Sequence, residues 1–206
     1  DLVAEFVYVN PSAVAAQGRG FLVRNVPVTA TIRISHVRQV RGYGIRLENS
    51  SNSSIDSVSI SAVTAVAGVT DSAGVHVTGG SGNRVANTTI SGGVNTDGLR
   101  LSSTSNARIR RDSVNGGRYG LYAENSTWLD TSLAVRGATA GVFLGASNTV
   151  TSDSARIGQT SDAGVILSGA NNGVTLRTIR VDTVATGSTD SAAIDARSAA
   201  TGSRLT

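Results

Sequence analysis

The sequence predicts an all-β parallel solenoid, a stack of about eight coils with three short strands in each. Three observations carry this expectation. The composition is rich in turn-formers and poor in rings, with 24 Gly against 2 Pro, 4% aromatic and 39% hydrophobic residues. Such a mixture suits short strands joined by tight turns. A four-residue phrase recurs at intervals of 21 to 30 residues, and two further aliphatic clusters follow it in each interval.

The phrase is a small residue followed by aliphatic, variable, aliphatic. It reads Gly20-Phe21-Leu22-Val23, Gly44-Ile45-Arg46-Leu47, Gly74-Val75-His76-Val77, Gly98-Leu99-Arg100-Leu101, Gly120-Leu121-Tyr122-Ala123, Gly141-Val142-Phe143-Leu144, Gly164-Val165-Ile166-Leu167 and, degenerately, Ala193-Ile194-Asp195-Ala196. Successive starts are separated by 24, 30, 24, 22, 21, 23 and 29 residues. Both long intervals end in the same turn insertion, Thr70-Asp71-Ser72-Ala73 and Thr189-Asp190-Ser191-Ala192.

The second element is a polar turn, usually with Asn, leading into another strand: Asn52 to Ile55, Asn83-Arg84-Val85, Asn106 to Ile109, Asn148-Thr149-Val150 and Asn172-Gly173-Val174. The third is an aliphatic cluster at Val58 and Ile60, Ile90, Val114, Leu133 and Val135, Ile157, and Ile179 and Val181. A coil of three such strands cannot bury its inward side chains alone. Stacked coils can, each strand pairing in register with its counterpart ~4.8 Å away. Alternation then predicts that Val75, Leu99, Leu121, Val142 and Val165 form one interior column. Gly at the phrase start serves positive φ or close approach at a corner. Asn tolerates the left-handed conformation and forms ladders when stacked.

In these phrases the chain resembles the parallel β-helix repeat family, the pectate-lyase-like solenoids, over roughly Gly20 to Thr206. The resemblance implies a right-handed parallel β-helix. For function it implies little, because that family spans polysaccharide lyases, glycoside hydrolases, epimerases, tailspikes and non-catalytic surface proteins. The strict six-residue period of left-handed helices is missing, and so is the Gly-Gly-x-Gly-x-Asp phrase of calcium-binding rolls. Gly79-Gly80-Ser81-Gly82 before Asn83 is the nearest approach to the latter.

One domain is expected over 1–206, with 1–19 as a leading partial coil and 20–206 as repeats. Phe6-Val7-Tyr8-Val9 looks like part of a preceding coil, and Thr201-Gly202-Ser203-Arg204-Leu205 matches Gly82-Asn83-Arg84-Val85, so the chain stops partway round a coil. An uncovered coil presents unpaired backbone groups, which predicts a continuing chain or end-to-end stacking on another subunit.

Without cysteine, neither disulfides nor thiolate metal sites hold this fold. All 18 basic residues are Arg, giving a net charge of +4. Spread over every repeat with no basic run, they predict a solvated face and no nucleic-acid partner. No segment is apolar enough to span a bilayer as a helix.

In the phrase, alternation sends the middle residue outward, so Leu22, Arg46, His76, Arg100, Tyr122, Phe143, Ile166 and Asp195 form one external column. The next outward positions add Glu48, Thr78, Ser102 and Glu124. Cationic or protonatable groups followed by rings, ~4.8 Å apart, suit an acidic polysaccharide laid along the axis, arginines forking onto carboxylates and rings stacking on sugars. The same residues suit an ordinary solvated β surface. Trp128 stands where other coils carry the turn Asn, either as a cap on the ladder or as an exposed ring for a sugar.

Catalysis finds little support. Glycoside hydrolysis needs carboxyls about 5 to 10 Å apart, whereas Glu48 and Glu124, three coils apart, stand ~14 Å from each other. Asp97 is placed to approach Arg118 or Glu124. The lyase resemblance implies an Arg or Lys base opposite calcium-holding acids; Arg100 and His76 could be bases, but no acid cluster faces them. Asp71, Asp162 and Asp190 read as corner residues before calcium ligands. His36 and His76 lie too far apart for a shared metal or a triad. No cofactor is expected. The expected function is a non-catalytic extracellular or cell-surface solenoid acting as a stalk, adhesin or carbohydrate-contacting surface. The alternative is a lyase, glycoside hydrolase or uronate epimerase acting on an acidic glycan along the Arg46 to Tyr122 face.

Overall fold

The computed structural model describes residues 2–5, 7–9, 20–26, 29–146, 148–171, 173–182, 184, 192–197 and 204–205. Among them, regular structure consists of β-strands in three parallel sheets of eight, nine and eight strands. Sheet one holds the phrases: Phe21–Arg24, Tyr43–Glu48, Ala73–Thr78, Asp97–Ser102, Tyr119–Glu124, Ala140–Leu144, Ala163–Ser168 and Ala192–Arg197. Sheet two starts with Leu2–Glu5 and Ala30–Arg33, runs through Ser54–Asp56, Arg84–Ala86, Ala107–Arg110, Thr127–Thr131, Thr149–Asp153 and Val174–Arg177, and ends at Arg204–Leu205. Sheet three takes the last cluster of each coil, from Tyr8–Val9 and His36–Arg38 to Arg180–Val181. Every strand pairs with strands one coil away, so the chain winds as a β-helix.

Side-chain alternation builds the core. Val75, Leu99, Leu121, Val142 and Val165 stack in register, and all five are buried as predicted. Sheet two contributes Ile32, Ile55, Val85 and Ile109; sheet three contributes Val37, Ile60, Ile90, Val114, Val135 and Ile157. Each fully buried side chain of this size contributes about 1.5–3 kcal/mol relative to exposure. The match of Arg204 to Arg84 also holds, since both stand in one column of sheet two.

The corners separate two kinds of residue. No phrase glycine from Gly20 to Gly164 has positive φ, so close approach is the role these glycines fill. A Cβ on Gly98 would stand 2.6 Å from the Gly120 carbonyl oxygen and collide with the Val114 methyls across the interior. The left-handed corner between sheets two and three falls instead on Ile34, Ser57, Asn87, Arg111, Ser132, Ser154 and Thr178, with φ from 47° to 71°. A non-glycine there costs roughly 1–2 kcal/mol. The inter-coil hydrogen bonds run on through the corner, for example Ser57 N–H to the Ala86 carbonyl at 3.0 Å and Asn87 N–H to the Arg110 carbonyl at 2.9 Å, which holds the strained residue in place.

The turn asparagines divide likewise. Asn52 and Asn106 are left-handed, whereas Asn83, Asn148 and Asn171 are buried and bond inside the stack. Asn148 Nδ2 donates to Asn171 Oδ1 at 3.1 Å, and the Ser126 N–H donates to Asn148 Oδ1 at 3.1 Å. Asn172 lies outside the described residues.

The interior also holds two carboxyls. Asp112 sits at a corner, accepting the Thr88 N–H at 2.7 Å and the Arg110 N–H at 3.1 Å. Asp130 occupies the column of Ile109 and Val85 and accepts the Ser152 hydroxyl at 2.8 Å. Burial pushes both up to about 7.

Candidate functional site

The outer face of sheet one carries the expected column in the expected order. Leu22, Arg46, His76, Arg100, Tyr122, Phe143, Ile166 and Asp195 are register partners one coil after another. Glu48, Thr78, Ser102 and Glu124 form the neighbouring column.

The face is not an open ridge, however. The connection from Val63 to Ala73 lays Thr70 and Asp71 against it. The Thr70 carbonyl accepts from Arg100 Nη1 at 3.2 Å and from Arg118 Nη2 at 3.0 Å, while Asp71 accepts from Arg46 Nη1 at 3.3 Å and lies 3.8 Å from His76 Nδ1. The first turn insertion is therefore a brace over the sheet. Under it His76 is 3% and Arg100 7% exposed.

His76 departs from expectation in charge. Burial, together with nearby Arg46 and Arg100, pushes its imidazole down to about 3 against the opposing pull of Asp71. The ring is neutral at physiological pH, and neither ring nitrogen has a hydrogen-bond partner.

The arginines of this face are already matched. Arg24 and Arg46 reach Glu48 at 3.0 and 3.2 Å, and Arg46 also reaches Asp71. Arg100 reaches Asp97 at 2.9 Å and Glu124 at 3.4 Å, and Arg118 grips Asp97. Asp97 thus does approach Arg118. Burial pushes its carboxyl above the ordinary value, and the hydrogen bonds from Arg118 and Arg100 oppose that shift. Four guanidiniums face four carboxylates, so the cluster sums to zero charge.

Beside this cluster lies a ledge of rings. Tyr122 and Phe143 stack at 5.1 Å with planes 4° apart, and Tyr119 leans on both at 5.7 and 4.7 Å. Arg100 lies over the Tyr122 ring at 4.0 Å. The Tyr122 hydroxyl donates to Glu124 Oε2 at 2.8 Å; burial and that carboxylate push it up to about 12. All three rings are half-buried.

A family model described as right handed beta helix region matches residues 8–181. The chain belongs to the right-handed β-helix family. No curated protein and no solved structure matches it.

Within this right-handed β-helix, Trp128 corrects the sequence reading. It is neither a ladder cap nor an exposed ring: it lies in the strand Thr127–Thr131, 4% exposed, stacked between Ala107 and Val150 in the core. Alternation turns it inward, so its ring offers no face to a ligand. Glu48 and Glu124 are three register steps apart, ~14 Å, too far for a hydrolytic pair. Among the described residues no group of three His, Cys, Asp or Glu side chains is placed to hold a metal ion, and no helix is long and apolar enough to cross a membrane.

Sequence reasoning missed the outer face of sheet two. There Arg84 and Arg108 are register partners, and Arg110 is two residues on. Alternation in the second element of the repeat, as in the phrase, points these arginines outward.

Proposed function

We propose that this right-handed β-helix is a non-catalytic, extracellular or cell-surface solenoid that contacts carbohydrate through the ledge of Tyr119, Tyr122 and Phe143. The observation behind the reading is the ledge itself: three rings in mutual contact, half exposed, beside a cluster whose charges cancel. The exposed parts of the three rings offer apolar surface to the C–H groups of a sugar, and prior ring contacts reduce the freedom lost on binding. The neutralised arginines leave little charge to attract an ion, so contact at the ledge depends weakly on salt.

A catalytic reading has one observation in its favour. His76 is a neutral imidazole with both nitrogens unpaired, poised between Arg46 and Arg100. The brace that buries it also shields it from a polymer.

The test is incubation with a panel of neutral and acidic polysaccharides, following retention in affinity electrophoresis together with unsaturated and reducing ends. Retention without product, weakened about fivefold in Tyr122→Ala/Phe143→Ala, supports the proposal. Unchanged retention in that variant refutes the ledge. Product that disappears in His76→Ala replaces the reading with an enzyme.

A further inference from the structure

The outer faces of sheets one and two differ in how they treat arginine. On sheet one every arginine of the central coils meets a carboxylate. On sheet two, Arg108 and Arg110 are exposed and meet none among the described residues. Arg84, 41% exposed at its side chain, has only Asp56 at 3.8 Å. Arg84 and Arg108 are in register, so they stand ~4.8 Å apart along the axis, and Arg110 follows Arg108 by ~6.6 Å along the strand.

The surface around them is shaped as well as charged. Three adjoining shallow depressions of about 380, 380 and 410 Å³ lie on this face, and Arg108 lines all of them. Their other polar walls include Asn106, Thr127, Thr131 and Thr151, with Leu129 between them. These are short hydroxyls and amides on rigid strands, suited to bonding a polyol.

We propose that the outer face of sheet two, centred on Arg84, Arg108 and Arg110, binds an anionic polysaccharide, its acid groups held by the guanidiniums and its hydroxyls by the flanking Thr and Asn side chains. Charge complementarity names the occupant. An unpaired guanidinium retains its forked donors for a carboxylate or sulfate. A single-stranded nucleic acid would need stacking platforms, and the outward columns of sheet two hold no aromatic residue among the described positions; Trp128 of this sheet faces inward. This site is separate from the ring ledge on sheet one and does not depend on it.

The experiment measures affinity for polygalacturonate, dextran sulfate, neutral dextran and single-stranded and duplex DNA over a range of salt concentrations, with circular dichroism to confirm folding. The two charged polymers distinguish carboxylate from sulfate. Arg108→Ala/Arg110→Ala is expected to lose about tenfold in affinity for at least one of them, with a weaker salt dependence. Arg38→Ala/Arg136→Ala, which removes the same charge from sheet three, leaves affinity unchanged. The proposal is overturned if neither charged polymer binds, if the sheet three variant loses as much as the sheet two variant, or if DNA binds as tightly and through the same arginines.

Discussion

Arg118 holds Asp97 with two parallel hydrogen bonds, Nε to Oδ1 and Nη2 to Oδ2, each 3.0 Å, reaching from one coil back to the one before. Asp97 is 0% exposed, and its Oδ2 also accepts from Arg100. A buried carboxylate with these partners joins the phrase strand to the connection that leads into the next coil. Asp97→Ala leaves Arg118 without its carboxylate and Arg100 with Glu124 alone, and a loss of about 3 kcal/mol is expected. Denaturant titration of the two single variants and of Asp97→Ala/Arg118→Ala checks this: the double variant should lose less than the sum of the singles.

The interior carboxyls make stability fall as pH rises. Asp112 and Asp130 each have a folded value of about 7 against an ordinary 3.8, so the folded chain keeps protons that the unfolded chain releases. The extra stability is full below pH 3.8 and is lost progressively until about pH 7. Each group contributes up to about 1.4 kcal/mol per pH unit within that window. Melting temperatures at pH 5 and pH 8 should therefore differ in favour of pH 5. Asp130→Asn, which keeps an acceptor for Ser152, should flatten the profile and raise stability at pH 8.

Gly98 and Gly68 provide a paired test of the corner chemistry. Gly98→Ala drives a methyl against the Gly120 carbonyl and Val114, and should destabilise by roughly 3 kcal/mol. Gly68 has φ of +76° but open space around it, so Gly68→Ala meets only the backbone penalty, about 1 kcal/mol. Equal losses would mean that close packing of the coils at Gly98 is not what demands glycine.

Trp128 is the sole tryptophan and reports on the core. Its emission should be blue-shifted, resist quenching by acrylamide, and stay unchanged when saccharides bind. Trp128→Ala should cost about 3–5 kcal/mol through the cavity it leaves, measured by thermal unfolding.

The repeat was readable because its signal is local. A glycine, two aliphatics around an outward residue and a fixed interval are each visible in a few residues, and stacking turns them into columns without further information. The outward order from Leu22 to Asp195 came from the same rule. Trp128 and Asp130 were harder, because a large ring or an acid at an inward position contradicts what composition suggests about interiors. Ser152 and the surrounding coils, not the strand itself, make Asp130 tolerable there.

Alternation and period thus specify the three-sheet winding, the interior columns and the side chains that share each outer face, since both are properties of a strand and its nearest copy. Whether a face is open or closed was decided elsewhere. Thr70 reaches Arg118 across 48 residues of chain, and Asp71 reaches Arg46 across 25. Those contacts cover His76 and add Asp71 to Glu48 as a carboxylate partner of Arg46. Such pairings depend on which connection folds over which sheet, a relation between distant segments that no repeat unit contains.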